Sequence, residues 1–184
     1  MAEVLIISGA GDYSDPWHRF GDTSLRLAEI IAGLGHQVTI SDAVEKALAD
    51  PGKPGLIVIN IGNPCEARPQ PRIDAAERGL DHHLLRGGAL LGVQVSATSM
   101  TTMSRWSQML GGHWVQGRTM HPKQDLFTVV VHDGAHPIVE GLSDFTVFDE
   151  RYCYLHTNPD ITVMCEQVTD GRLHPALETA LSPC

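Results

Sequence analysis

Two adjacent acids, Asp149 and Glu150, stand at the edge of an aromatic run that ends in Tyr152. Acidic side chains are seldom fully buried unless they are paired, so these acids either lie on the surface or face a polar pocket. Imidazoles are available at His18 and His121, and histidine can give and take a proton near neutral pH. A carboxylate beside an imidazole can orient the ring or act as a base. We therefore take Glu150, His18 and His121 as candidate catalytic acid–base groups, with Asp149 as an orienting or hydrogen-bonding side chain.

The first two thirds of the chain alternate short apolar runs with amphipathic segments. Strands are predicted at 4–7, 36–40, 55–60 and 89–93, and helices at 22–34, 44–49, 71–86 and 99–110. Beyond residue 112 the pattern changes to short strands at 114–115, 126–131, 146–148 and 161–164, which are joined by loops. This order predicts an α/β fold with an open, mostly parallel sheet and a β-rich C-terminal region. Because no linker or repeat interrupts it, we predict a single domain over residues 1–184.

Polar residues follow the predicted central strands, at the sheet edge where open α/β folds bind ligands. The residues expected to bind a small polar ligand there or beside the acids are Gly9, Trp17, Arg19, Asn60, Gln94, Asp149 and Tyr152. Structural alternatives stay open, because Asn60 could serve only nearby backbone groups and His18 could be a solvated loop residue. Ser96 and Ser99 are expected to cap the following helix rather than to act as nucleophiles.

The composition disfavours several classes of partner. A net charge of −9 disfavours nucleic acids and anionic membranes, which require a concentrated positive face. No apolar run approaches the length that spans a bilayer, and the N-terminus lacks the basic start and cleavage site of a secretory signal. A cytoplasmic protein with a small-molecule ligand is therefore expected.

The sequence contains none of the familiar short motifs for a catalytic serine, a bound nucleotide or a thiolate metal site. There is no GxSxG elbow and no GxxxxGK[ST] phosphate loop, and Gly9-Ala10-Gly11 lacks the third glycine of a dinucleotide fingerprint. No CxxC pair occurs, so Cys153 and Cys165 are expected to be small buried side chains. The ten histidines show no ligand spacing. No cofactor is predicted, and a divalent metal such as zinc held by histidines stays an alternative.

The pattern HPI-x2-GL-x2-F-x3-DE-x-Y, which runs from His136 to Tyr152, resembles the trehalose-utilisation (ThuA-like) family. The N-terminal stretch VLIISGAGDYSDPWHRF is also similar, and the resemblance extends to about Pro175. It implies a flavodoxin-like, class I glutamine amidotransferase-like fold with helices on both faces of the sheet. It also implies a role in carbohydrate metabolism, in pathways that process disaccharides through 3-keto sugars, and hydrolases are named among such relatives.

Two departures from that pattern bear on chemistry. Gln94 stands where glutaminases of this fold carry a nucleophilic cysteine and where ThuA-like proteins usually carry histidine. Because an amide cannot replace a thiolate, glutamine amidotransferase activity is not expected, although Gln94 could bind a sugar hydroxyl. His121-Pro122 and Asp149-Glu150 match the His-Pro and Asp-Glu motifs of the family. The C-terminus is expected to be shortened or diverged after about residue 175, with a possible loss of site residues.

Three interpretations stay open at this stage. In the first, the chain is a hydrolase or lyase that acts on a carbohydrate or keto-sugar derivative, with Glu150, His18 and His121 in one cavity. In the second, it is a non-catalytic small-molecule binding or assembly module. In the third, the acids form a solvated turn and the histidines have no catalytic role. Exposed apolar strand edges in the C-terminal region would also make a homodimer unsurprising.

Overall fold

The computed structural model describes residues 1–64, 68–132, 134 and 136–180. The side chains of Gln94 and of residues 177–180 lie outside that description. The chain divides into two compact units, of which the first contains Met1–Trp106 and the second begins at Ser107. The single domain over residues 1–184 stays a prediction. Among the described residues, no helix combines the length and the apolar composition that crossing a membrane requires.

A parallel sheet organises the first unit. Its strands are β1 (Glu3–Ser8), β2 (Gln37–Ser41), β3 (Leu56–Asn60) and β4 (Ala89–Gly92), in the order β2-β1-β3-β4. They alternate with helices α1 (Phe20–Gly33), α2 (Val44–Ala49) and α3 (Gln70–Leu85). This strand order is that of flavodoxin-like sheets, in which the carboxyl ends of the strands form the ligand-binding edge. The predicted open α/β sheet is therefore confirmed.

The buried core of the first unit explains why its strands are continuously apolar. Ile6 on β1 and Ile57 and Ile59 on β3 have no exposed surface, as expected for central parallel strands covered on both faces. His83 on α3 is also fully buried, with Nε2 2.8 Å from the carbonyl oxygen of Ala89. Burial lowers the pKa of His83, which favours the neutral ring. Helices α2 and α3 approach so closely that a Cβ on Gly79 would lie 2.1 Å from a backbone oxygen of α2.

Two predicted helices have different bounds in the structure. Helix α1 begins at Phe20, so Asp22 lies within its first turn and does not cap it. The predicted helix at 99–110 is wrong over most of its length, because α4 covers only Trp106–Leu110. A short 3-10 helix, Gln94–Thr98, precedes the predicted range. Ser96 and Ser99 do not cap α4, and their hydroxyls lie 2.7 and 2.9 Å from carbonyl oxygens of residues 59 and 61. Ser96 Oγ also accepts the N–H of Val93 at 3.2 Å, in the capping box of the 3-10 helix. Met100 has a φ of 50°, which a right-handed helix cannot accommodate.

The second unit is built from antiparallel strands, which confirms the β-rich C-terminal region. Four strands in the order β10-β9-β6-β7 form one sheet, and β5 pairs with β8. Their bounds are β5 (Gly112–His113), β6 (Asp125–Val131), β7 (Phe145–Asp149), β8 (His156–Thr157), β9 (Ile161–Thr169) and β10 (Arg172–Ala180). The strand predicted at 114–115 lies two residues earlier, and β10 was not predicted. Pro175 and the shift in register beside it break the alternation of β10, which conceals the strand.

Apolar side chains of the second unit form a core and also an exposed patch. Val129, Val139, Met164 and Cys165 are buried together. Cys153 is buried as well, so the prediction for both cysteines is confirmed. On the other side of the sheet, the paired residues Leu126 and Phe148 are 69% and 67% exposed. The homodimer stays a prediction.

Candidate functional site

An antiparallel bridge brings two distant segments of the second unit together. The backbone N–H of Met120 donates to the carbonyl of Cys153 at 3.2 Å, and the N–H of Cys153 donates back at 2.8 Å. Because neighbours run in opposite directions across such a bridge, His121 lies beside the segment that contains Glu150 and Tyr152. The fold therefore joins three of the residues that the sequence singles out.

These residues form a cluster with a tryptophan. The rings of His121 and Tyr152 stack with their centroids 5.7 Å apart and their planes 30° apart. Trp114 meets the Tyr152 ring edge-on at 5.4 Å and lies 6.2 Å from His121. Nδ1 of His121 lies 3.7 Å from Oε1 of Glu150. We call Trp114, His121, Glu150 and Tyr152 the His121 site.

The contacts of His121 indicate which ring nitrogen carries the hydrogen. Nδ1 faces two acceptors, the carbonyl oxygen of Pro122 at 3.1 Å and the carboxylate of Glu150. Both favour a hydrogen on Nδ1, which leaves the lone pair on Nε2. Glu150 is too distant for a strong hydrogen bond but close enough to attract an imidazolium. The arrangement therefore suits Nε2 as a base, with Glu150 stabilising the ring once it is protonated.

Side-chain hydrogen bonds anchor the segment that carries Glu150 and Tyr152 to neighbouring strands. Arg151 donates to the Asp125 carboxylate at 2.6 Å and to the Val168 carbonyl at 2.9 Å. The side-chain amide of Gln167, which is buried, donates to the carbonyl of Tyr152 at 3.1 Å. These bonds hold the two residues that follow Glu150, so the site does not depend on a free loop for its geometry.

His18 has a separate acidic partner in the first unit. Its Nδ1 lies 2.8 and 2.7 Å from the two carboxylate oxygens of Asp15, which also accepts the backbone N–H groups of Trp17 and His18. Burial disfavours ionisation of Asp15, but the hydrogen bonds from His18 and the backbone outweigh it and lower the pKa of this carboxyl. We call residues 15–18 the His18 turn. The cavity predicted to unite His18 with Glu150 and His121 stays a prediction.

Asn60 and Gly9 are engaged by the packing of the first unit. Asn60 is fully buried, and its Nδ2 lies 2.8 Å from Thr23 Oγ1 and 2.9 Å from Ser24 Oγ. These contacts tie the end of β3 to α1 and favour the structural alternative for Asn60. A Cβ on Gly9 would lie 2.4 Å from the carbonyl oxygen of Tyr13, so close packing requires glycine there.

The remaining predicted residues are more exposed or not described. Trp17 is 82% exposed, and Arg19 forms an exposed ion pair with Asp22 at 2.7 Å. Asp149 is exposed, and its carboxylate accepts the N–H of Glu150 at 2.8 Å. The orienting role expected for Asp149 stays a prediction. The side chain of Gln94 lies outside the described residues.

Sequence reasoning missed three features. Trp114 stands in the stretch GGHW, but only the fold shows that it contacts Tyr152. Asp15 precedes His18 by three residues, a spacing typical of an Asp-initiated turn. His113 has Nδ1 2.8 Å from the Ser107 hydroxyl, and burial, reinforced by nearby His156, lowers the pKa of its ring.

A metal site gains no support from the side chains that can be located. Within residues 1–64, 68–132, 134 and 136–180, no three histidine, cysteine, aspartate or glutamate side chains come together as a metal centre requires. Zinc therefore stays an untested alternative.

Comparisons with known proteins agree with this fold. A solved structure of a ThuA-like protein from Bacteroides uniformis is similar with a TM-score of 0.73 and 15% identity, covering 97% of this chain and 77% of that one. A glutamine amidotransferase from Thermotoga maritima gives a TM-score of 0.52 and 13% identity, covering 93% and 73%. Likeness at these identities concerns the fold alone. A search of curated proteins gives no significant match. The family model for trehalose utilisation matches residues 4–179, beyond the boundary at Pro175, and the chain belongs to the ThuA family.

Proposed function

We propose that the chain binds a carbohydrate or keto-sugar derivative at the His121 site and acts on it by acid–base chemistry. The observation that carries this proposal is the stacking of His121 on Tyr152 with Glu150 3.7 Å from the imidazole. Aromatic rings offer the apolar faces against which sugar rings pack, and the nearby acid and imidazole can bind hydroxyls. The description of the family as one of trehalose utilisation supports the same class of ligand.

The geometry suits proton abstraction next to a carbonyl group. In a keto-sugar, Nε2 of His121 would take the proton from the carbon beside the keto group, and the electron pair would move onto the carbonyl oxygen. Return of that pair would form a carbon–carbon double bond and expel the glycosidic oxygen, which takes the proton back from His121. Glu150 would stabilise the imidazolium between these two transfers. Such a reaction is a lyase step that needs no additional oxidant or reductant.

The test compares variants on trehalose and on its 3-keto derivative, with products followed by NMR. We expect His121→Ala to reduce turnover by about 100-fold or more, because it removes the base. Glu150→Gln should reduce turnover by about tenfold or more through loss of the charge that stabilises the imidazolium. Exposed Glu140→Gln is the matched control and should keep most activity. Full turnover by both site variants would refute the assignment.

A non-catalytic binding function is favoured by one observation. The His121 and Glu150 side chains are 39% and 27% exposed, whereas catalytic sites commonly exclude water. In that case sugars should raise the melting temperature of the wild type without being consumed. Tyr152→Ala should abolish the shift, while an exposed control such as Gln116→Ala should keep it.

A further inference from the structure

The first unit contains an open cleft of about 450 Å³ at the ligand-binding edge of its sheet. One wall is the loop that follows β1, at residues 10–13, and another is formed by residues 42–46 after β2. Arg68 and Arg72, which come after β3 in the chain, complete the lining. The cleft thus lies beyond three neighbouring parallel strands, where open α/β sheets bind ligands. We call it the Arg68 cleft.

Arg68, Glu45 and Asp12 form a hydrogen-bonded triad that fixes the inner part of the cleft. Arg68 donates through Nε to Glu45 at 2.6 Å and through Nη1 to Asp12. The Tyr13 hydroxyl donates to the carboxylate of Glu45 at 3.1 Å. Burial, with a contribution from Glu45, raises the pKa of this hydroxyl. Arg68 and Glu45 are mostly buried, at 17% and 13% exposure. These groups are therefore held in place before any ligand arrives.

Other charged groups of the cleft are not engaged in this way. Lys46 and Arg72 are exposed and form no ion pair with any residue whose position is described, and the same holds for Asp42. Arg68 uses two of its five N–H donors in the triad. The cleft therefore presents cationic donors together with carboxylate acceptors to one shared space.

This mixture selects a class of ligand. A phosphate or carboxylate accepts from guanidinium and ammonium groups, and hydroxyls donate to carboxylates. A neutral sugar would give Lys46 and Arg72 no anionic partner within ion-pair distance. A polyanion would bring more negative charge than these two cations offset, in a cleft that also holds three carboxylates. We propose that the Arg68 cleft binds a hydroxylated small molecule that carries a single phosphate or carboxylate group, as a sugar phosphate or a sugar acid does. The residues that line the Arg68 cleft all belong to the first unit, and the proposal does not depend on the function proposed for the His121 site.

The experiment is a calorimetric titration of the full chain with glucose 6-phosphate, glucuronate and glucose. At least one of the two anionic sugars should bind. Glucose should bind at least about tenfold more weakly than that sugar, or not at all. The affinity for the anionic sugar should fall as salt is raised, because charge pairs near the surface are screened. Which of the two binds identifies the anionic group.

Matched variants locate the binding. The double variant Lys46→Ala/Arg72→Ala should lower the affinity for the anionic sugar by about tenfold or more, because it removes the two cations that have no ion-pair partner among the described residues. Lys53→Ala/Arg78→Ala removes the same residue types from exposed positions that do not line the cleft, and it should bind normally. The proposal is overturned if neither anionic sugar binds at millimolar concentration, or if both double variants bind alike. Loss of binding in His121→Ala instead would assign the ligand to the His121 site.

Discussion

The His18 turn and the His121 site both place a carboxylate at Nδ1 of an imidazole, but they are assembled differently. Asp15 lies three residues before His18 and contacts it at 2.7 Å. Glu150 reaches His121 only through the bridge between Met120 and Cys153, and it stays 3.7 Å away. The first pair is set by local backbone and the second by the fold of an entire unit.

This difference indicates what each pair does. Asp15 also accepts two backbone N–H groups, so its carboxylate is saturated by the turn that it shapes. Glu150 faces no such pair of backbone donors in the described contacts, and the ring beside it stacks on Tyr152. We propose that the tight local pair stabilises structure, whereas the looser pair beside the Tyr152 ring keeps an imidazole available to a ligand. The predictions below test that distinction, beginning with the greatest expected effect.

Turnover should depend on His121 far more than on His18. We expect His121→Ala to lower the rate by about 100-fold or more and His18→Ala by about threefold or less, because only the His121 ring belongs to the cluster with Trp114 and Tyr152. The assay is the keto-sugar reaction followed by NMR. Equal losses in both variants would break the comparison and would support the shared cavity that the sequence predicts.

Loss of the hydrogen bond from Gln167 to Tyr152 should change the surroundings of His121 but not those of His18. Gln167→Met removes the amide donor to the part-buried carbonyl of Tyr152, which should cost about 0.5–1.5 kcal/mol of unfolding free energy. It should also shift the NMR signals of the His121 ring, which stacks on Tyr152, and leave those of His18 unchanged. Exposed Gln116→Met is the matched control for both readouts. An unchanged His121 spectrum in a destabilised Gln167→Met protein would show that the amide does not position the site.

Much of the fold could be predicted from periodic apolar runs with clear ends. The bounds of α2 agree with the prediction because Pro51-Gly52 follows it closely, and β3 agrees because its apolar run is uninterrupted. The helix at 99–110 failed because serine hydroxyls compete for backbone carbonyls and Met100 adopts positive φ, neither of which an apolar period reveals.

The candidate site was less accessible to sequence reasoning. Glu150, Tyr152 and His121 stand out through their types and motifs, yet the contact between positions 120 and 153 is long-range and leaves no local signal. Trp114 joins the site by the same route and was missed. Asp15 was missed although its signal is local, since the stretch Asp-Pro-Trp-His has the residue types of a turn closed by an acidic side chain.

Stability should respond to Asp15 more than to Glu150. Asp15→Ala removes the acceptor of two backbone N–H groups and of the imidazole, and we expect a loss of about 1 kcal/mol in urea unfolding. Glu150→Ala removes a half-exposed ion pair at 3.7 Å and should change stability by about 0.5 kcal/mol or less. The reverse order would mean that the His121 pair has the structural role.

The last and smallest effect is the pH dependence of the His18 turn. Because the folded-state pKa of Asp15 is lowered, its ionised form contributes stability above the unfolded-state value of about 3.9. That contribution should be complete at neutral pH and should disappear as pH falls through the lower folded-state pKa. The stability difference between the wild type and Asp15→Asn, measured by urea unfolding, should therefore shrink below about pH 4. Exposed Asp50→Asn corrects for the general effect of removing one negative charge. A difference that stays constant down to pH 2.5, roughly 1.5 units below the unfolded-state pKa, would mean that hydrogen bonds to the neutral side chain, and not its charge, hold the turn.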